Sequence, residues 1–211
     1  HQLVRRAAGR RYALGPHLLR LARVAHPGVD LQVIALPVMR RLRDACGETV
    51  GLHVRSGDRR LVIDQVESLQ PLRRTYTELS ERIPLHQGAP GKVLLAFMPA
   101  EQREEVLAGP LDAATPSTIT DPQILRAELD QIRDRGCAFS IEERVAGIRT
   151  VAVPIRNHTG AVRAGLSVTG PALRVTPQRL EELAPLAMRA GAEVSGALGW
   201  RDDGALDVAQ A

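Results

Sequence analysis

Hydrophobic positions change period several times along the 211 residues, and the changes divide the chain into elements. Leu3-Val4-Arg5-Arg6, Ala7-Ala8-Gly9 and Arg10-Arg11-Tyr12-Ala13-Leu14 read as a short hairpin with a glycine turn and arginine-rich strands. Pro16 suits the first position of a short helix running to about Ala25. Asp30 is the expected N-cap of a second helix, whose apolar positions Leu31, Ile34, Ala35, Val38, Met39 and Leu42 follow the helical period; Gly47 ends it and Pro37 predicts a kink. From Glu48 the period is two. Val50, Leu52 and Val54 alternate with Thr49, Gly51 and His53, Ser56-Gly57-Asp58 makes a turn, and Leu61 to Val66 returns as the partner strand.

Leu72 to Tyr76 reads as a third strand. Gly88-Ala89-Pro90-Gly91-Lys92 opens a short apolar helix through Met98, and Ala100 to Leu107 makes another. Thr120-Asp121-Pro122 starts an amphipathic helix with Leu125, Leu129 and Ile132 inward and Gly136 as its stop. Strands are expected at Cys137–Ile141, Arg149–Ile155 and Ala161–Thr169, the last two joined by a turn at Asn157–Gly160. Thr176-Pro177 starts the final helix, and Arg201 to Ala211 reads as a disordered tail. Tight-turn strand pairs with helices inserted between them predict an α+β fold on an antiparallel sheet, and the lack of strict strand–helix alternation disfavours a doubly wound parallel one.

Composition adds bounds. With 44% hydrophobic and 25% charged residues the chain can bury a core, and no apolar stretch approaches the roughly 18 residues of a membrane span. Two cysteines, Cys46 and Cys137, allow neither a disulfide framework nor a four-cysteine zinc site, so a cytoplasmic chain with free thiols is expected. The start at His1 reads as a piece of a longer chain. Six arginines (Arg5, Arg6, Arg10, Arg11, Arg20, Arg23) precede the first acid, Asp30, so the excess of the +4 net charge belongs to the first segment, where it can meet phosphates or simply face solvent.

Catalytic motifs fit poorly. Gly88-Ala89-Pro90-Gly91-Lys92-Val93 is too short between its glycines for a phosphate loop and lacks the Ser or Thr that holds magnesium. What remains is a helix start whose N–H groups can hold a carboxylate. Gly165-Leu166-Ser167-Val168-Thr169 lacks the second glycine of a nucleophile elbow and reads as continuous strand, with Ser167 and Thr169 sharing one face that on these residues alone is a solvated one. The six histidines form no ligand-spaced pair, so neither a metal nor another cofactor is expected, and His86 reads as a structural, hydrogen-bonded residue. Glu142-Glu143 reads as solvated loop acids. No nucleophile or acid–base pair marks an enzyme.

Several segments, taken in order, resemble one family. They are Tyr12-Ala13-Leu14-Gly15, Gly47-Glu48-Thr49-Val50, Pro84-Leu85-His86, Gly91-Lys92-Val93-Leu94-Leu95-Ala96, Thr115-Pro116-Ser117-Thr118-Ile119-Thr120, Ser140-Ile141-Glu142-Glu143, Gly147, Val151-Ala152-Val153-Pro154, Gly170-Pro171 and Leu198-Gly199. Their order and spacing resemble the isocitrate lyase regulator (IclR) family of bacterial transcription factors. The resemblance implies a winged helix-turn-helix, a linker and a GAF-like effector-binding domain. On that plan residues 1–15 are a wing remnant, 16–46 linker helices, 47–200 the effector domain and 201–211 a tail. Arg5, Arg6, Arg10 and Arg11 would be DNA phosphate contacts, and DNA binding would need helices upstream of His1.

The resemblance also implies an effector pocket for a small organic acid. It would lie against Ala89-Pro90-Gly91, with walls from Ser140, Ile148, Thr150, Ser167 and Thr169 and an apolar side from Leu72, Thr75 and Ile83. Ser140 and Thr150 stand where the glyoxylate- and pyruvate-responsive member has an acid and a cysteine, so a different effector is expected. Only five aromatic residues are present, too few for a stacking cage around an aromatic ring. The implied protein is a ligand-responsive DNA-binding regulator, homodimeric or a dimer of dimers. The alternative is the same sensory domain with control of a partner protein as its output.

Overall fold

The computed structural model describes residues 3–7, 11–15, 17, 28–77 and 81–201. Val4–Ala7 (β1) and Arg11–Leu14 (β2) form the expected antiparallel hairpin, with Val4 opposite Leu14. The hairpin turn with Arg10, nearly all of the helix expected from Pro16, and the tail beyond Arg201 lie outside the described residues. The next helix, α1 (Gly28–Cys46), begins before Asp30 and continues through Pro37. Asp30 therefore lies within the helix and is not its N-cap.

Six strands make the main sheet: Thr49–Ser56 (β3), Arg59–Val66 (β4), Ile83–Pro84 (β5), Ala138–Ile141 (β6), Ile148–Arg156 (β7) and Val162–Pro171 (β8). Their order is β5-β4-β3-β8-β7-β6, and every neighbouring pair is antiparallel. Four further helices follow the sequence signals, namely Ala89–Ala96 (α2), Ala100–Ala108 (α3), Pro122–Arg135 (α4) and Pro177–Ala197 (α5). The Asp121 carboxylate caps α4 by accepting from Gln123 N and Ile124 N, and left-handed Gly136 stops it; the Thr176 hydroxyl caps α5 through Arg179 N. The mixture of helices with a curled antiparallel sheet is an α+β fold.

One expected strand is absent. Leu72–Tyr76 is irregular, and the strand that pairs with β4 at that edge is two-residue β5, opposite Arg59 and Arg60. Side chains hold this segment instead of a ladder. Thr49 Oγ1 donates to Arg74 O (2.6 Å), Gln65 Oε1 accepts from Tyr76 N (2.7 Å), and Gln65 Nε2 donates to Tyr76 O (3.1 Å). Three backbone groups of the segment thus find side-chain partners in place of a neighbouring strand.

The sheet is covered on both faces. On one, Val50, Leu52, Val151, Val153, Ile155, Leu166 and Val168 pack with α1 and α5 in the main core. On the other, Ala138 and Ala152 meet α2, behind which Leu125, Leu129 and Ile132 of α4 complete a second core. At the start of α2 the backbone leaves no room for a side chain on one glycine, and β8 meets the helix at another. A Cβ at Gly91 would sit 2.2 Å from the Leu85 carbonyl oxygen, and one at Gly165 would sit 3.5 Å from Pro90 O. Gly91→Ala should therefore destabilise the fold by about 1–3 kcal/mol. Gly196→Ala, at an exposed helical position with open space around it, should stabilise by up to about 1 kcal/mol. Urea-unfolding midpoints of the two variants are expected to move in opposite directions.

Candidate functional site

The face of the sheet beneath α2 is polar where the opposite face is aliphatic. Register explains how. Ser140 on β6 pairs with Thr150 on β7, Thr150 with Thr169 on β8, and Thr169 with Thr49 on β3. Directly opposed residues share a face, so four hydroxyl residues stand side by side across four strands, all of them buried. Two residues further along β8 and β3, Ser167 pairs with Gly51, and beyond that His53 pairs with Gly165 on the same face.

These groups are hydrogen-bonded to one another. His53 and Ser167 are both fully buried, and their Nε2 and Oγ atoms lie 2.9 Å apart. The Tyr76 hydroxyl lies 3.2 Å from Ser167 Oγ and 2.8 Å from Thr169 Oγ1, and Thr169 donates to Thr150 Oγ1 over 3.1 Å. On the far side of the imidazole, Arg60 Nη1 is 3.1 Å from His53 Nδ1. Gly51 makes the space: a Cβ there would lie 2.8 Å from the Tyr76 ring and 2.9 Å from His53 Nε2. Burial holds the His53 imidazole well below the ordinary histidine range, and the Arg60 guanidinium adds to that effect.

A small cavity opens beside this row. Of the residues expected to bind a ligand, Pro90, Ser140, Ile148, Thr150, Thr169 and Ile83 line it. Ser167 stands one row behind, bonded to His53 and Tyr76, and Ala89 and Gly91 turn into packed surroundings while Gly88 takes their place at the wall. Leu72 is 56% exposed and Thr75 turns its hydroxyl to Glu67, so neither joins the wall. The residues not foreseen are Arg60, Arg74, Tyr76, Arg144 and Val145. Three guanidiniums thus line the cavity, and no carboxylate is among the described residues that do so. Arg144 Nε is buried without a hydrogen-bond partner.

The hairpin strands carry Arg5, Arg6 and Arg11, the residues implied to contact DNA, at register positions opposite Ala13, Tyr12 and Ala7. Glu143, expected in solvent, is instead buried and ion-paired with Lys92 at 2.7 Å. Burial pushes its carboxyl up, against the opposing pull of Lys92 and of the Gly88 N–H. The start of α2 therefore already faces one of the protein's own carboxylates. Thr118 and Thr115 clasp the same turn by donating to Glu143 O and Glu142 O. The segment before β5 is pinned as well, since Arg174 grips the Glu48 carboxylate at 2.7 and 2.9 Å and donates to Leu72 O at 2.8 Å. His86, as expected, is structural and bonds Asp112 O at 2.9 Å. It borders a wider, open groove that carries charges of both signs, among them Arg55, Arg59, Glu101 and Glu105. Among the described residues no cluster could hold a metal ion and no helix is long and apolar enough to cross a membrane.

The architecture is an α+β domain, a curled antiparallel six-stranded sheet with helices on both faces and a small arginine-lined cavity in its polar face. Residues 24–196 match the family described as bacterial transcriptional regulator IclR C-terminal, and the chain belongs to that family. It is 36% identical over 171 residues to the HTH-type transcriptional repressor AllR of Klebsiella pneumoniae, covering 81% of this chain but 62% of that protein. The crystal structure of the Thermotoga maritima IclR is similar with a TM-score of 0.78 at 34% identity, over 94% of this chain and 81% of that one. An IclR homologue from Microbacterium hydrocarbonoxydans, crystallised with 4-hydroxybenzoate, gives a TM-score of 0.77 at 28% identity, over 93% and 80%.

Two buried histidines set the expected pH dependence. His53 and His86 are both held below the ordinary value of 6.5, chiefly by burial. The unfolded chain therefore binds more protons than the fold below that pH, and their contribution to stability, complete above about pH 7, is lost as pH falls. Stability should drop between pH 6.5 and 5 by up to about 1.4 kcal/mol per pH unit for each histidine. Urea midpoints measured against pH should show a shallower slope in His53→Asn than in the native chain.

Proposed function

We propose that the chain is the sensing part of a DNA-binding transcriptional regulator, and that the cavity between Pro90, Thr150 and Arg144 holds a small organic acid whose binding controls promoter occupancy. The observation that carries this reading is the cavity wall: three guanidiniums and a row of hydroxyls, with no carboxylate among the described lining residues. Such a wall favours a ligand with ionised oxygens, since charge-assisted hydrogen bonds are the stronger ones. The repressor function named for AllR and the 4-hydroxybenzoate bound by the Microbacterium homologue support the regulatory role and the acid class.

On this reading residues 1–15 form the wing of a DNA-binding unit, 16–46 the linker and 47–200 the effector domain. Arg5, Arg6, Arg10 and Arg11 touch phosphates, which position a protein on DNA without specifying sequence. The regulator works as a homodimer or a dimer of dimers. A ligand that binds two arrangements of the effector domain unequally shifts the spacing of paired DNA-binding units. The non-enzymatic role fits relatives that are named as regulators.

A thermal-shift screen of small carboxylic acids tests the cavity, because a ligand that binds only the folded chain must raise its melting temperature. Arg144→Gln should weaken the best acid by about 1.5–3 kcal/mol; unchanged affinity would place the ligand elsewhere. Gel-shift of the full-length protein on its own promoter region should give a specific complex that the same acid alters, and absence of any specific complex would count against DNA output.

A further inference from the structure

Glu143 stands behind the cavity wall without lining it. It is 7% exposed, and its Oε2 atom is buried without a hydrogen-bond partner. Two charged side chains face it from the elements packed around it. Lys92 of α2 lies 2.7 Å away, and Glu128 of α4 shares the same ammonium at 3.4 Å. Arg135 also holds Glu128, at 2.8 Å, and the Gly88 N–H gives Glu143 a small further pull. One buried ammonium thus serves two carboxylates, and at Glu143 the cost of burial outweighs its attraction.

The residues beside Glu143 connect it to the cavity. Arg144, next in the chain, lines the cavity, and so does Gly88; the carboxylate paired with Arg144 is the exposed Glu81 at 3.9 Å. A negative charge in the cavity therefore lies against the immediate neighbours of a carboxylate that is already short of countercharge. Like charges disfavour a second ionised group, and they do so more strongly across buried protein than across water. His53, the other buried titratable group by the wall, is badly placed to take a proton. Its Nδ1 is 3.1 Å from the Arg60 guanidinium, which only donates, so a hydrogen on Nδ1 would oppose another.

We propose that Glu143 takes up a proton from solution when an anion enters the cavity, so that the domain responds to an acid and to acidity together. The inference rests on the reading of the cavity as the ligand site and adds a regulatory input to it. The proton lands on Oε2, the oxygen without a partner, and Lys92 keeps ionised Glu128 as its counterion. The buried cluster then holds one negative carboxylate for its ammonium instead of two. Glu143 does not touch the ligand and is a positioning residue whose charge opposes occupancy.

The test titrates glycolate, lactate and benzoate, all ionised at about pH 6 and above, calorimetrically into the native chain. Bis-Tris and imidazole serve as buffers, because their heats of ionisation differ and neither carries an anionic group. At about pH 6 the best-bound acid should bring about 0.2–1 proton with it, and it should bind about threefold or more tighter there than at about pH 7.5. Glu143→Gln, which keeps the side chain's size and leaves Lys92 its Glu128 partner, should bind that acid about threefold or more tighter than the native chain at about pH 7.5, with the uptake gone. Carboxyl-carbon NMR of the native chain, which needs no variant to fold, should show the Glu143 titration moved to higher pH by the acid. Acid binding without proton uptake, or uptake undiminished in Glu143→Gln, would overturn this inference alone. Failure of all three acids to bind the native chain would overturn the cavity reading together with it.

Discussion

Polar groups taken out of water must find partners inside the protein, and the face of the sheet under α2 is where that requirement governs the structure. An imidazole, a phenol and a row of hydroxyls lie there with little or no access to solvent. Left unpaired, each would cost about 1–3 kcal/mol. They are affordable only as a connected set, which requires that β3, β7 and β8 hold their register and that Tyr76 reach down over Gly51. The opposite face has no such demand and is filled with Val, Leu and Ile. The two faces differ in kind: one is filled with apolar side chains, and the other combines a second apolar core with a buried set of hydrogen-bonding groups.

The cavity lies where two parts of the sheet approach one helix. Arg60 comes from β4, while Ser140 and Arg144 come from the β6 end, with β3, β8 and β7 between them. α2 spans the gap, packed at its first turn against Leu85 through Gly91 and against β8 at Gly165, and tied to the β6–β7 turn through Lys92 and Glu143. That ion pair is buried, so removing one partner would strand the other in a poor medium. Its value here is positional, because it sets where Arg144 and Ser140 stand relative to Pro90.

Much of this was legible in the sequence. Period-two alternation placed β3, β4, β7 and β8, and capping residues placed α4 and α5, because both signals are local. Alternation also put Thr49, Gly51 and His53 on one face and Ser167 with Thr169 on another. That these faces are the same one, and that α2 covers it, depends on strand order, which no local pattern encodes. On the residues alone Ser167 and Thr169 therefore read as a solvated face although they are buried, and Glu143 reads as solvated for the same reason. Arg60, Arg74 and Arg144 were lost among 28 basic residues. Gly51, sitting between Val50 and Leu52 in an otherwise β-branched and aliphatic run, was the available clue that something large lies against that strand.

The segment from Leu72 to Tyr76 carries a consequence of its own. A strand in that place would be fastened by a ladder that forms and breaks cooperatively. This segment is instead tacked down at separate points by Thr49, Gln65 and Arg174. Each fastening is worth only about 1 kcal/mol, and each can let go without the next. It can thus peel from its Leu72 end in small steps, like a seam held by individual stitches, as far as Tyr76, whose hydroxyl is bound to Ser167 and Thr169 beneath it.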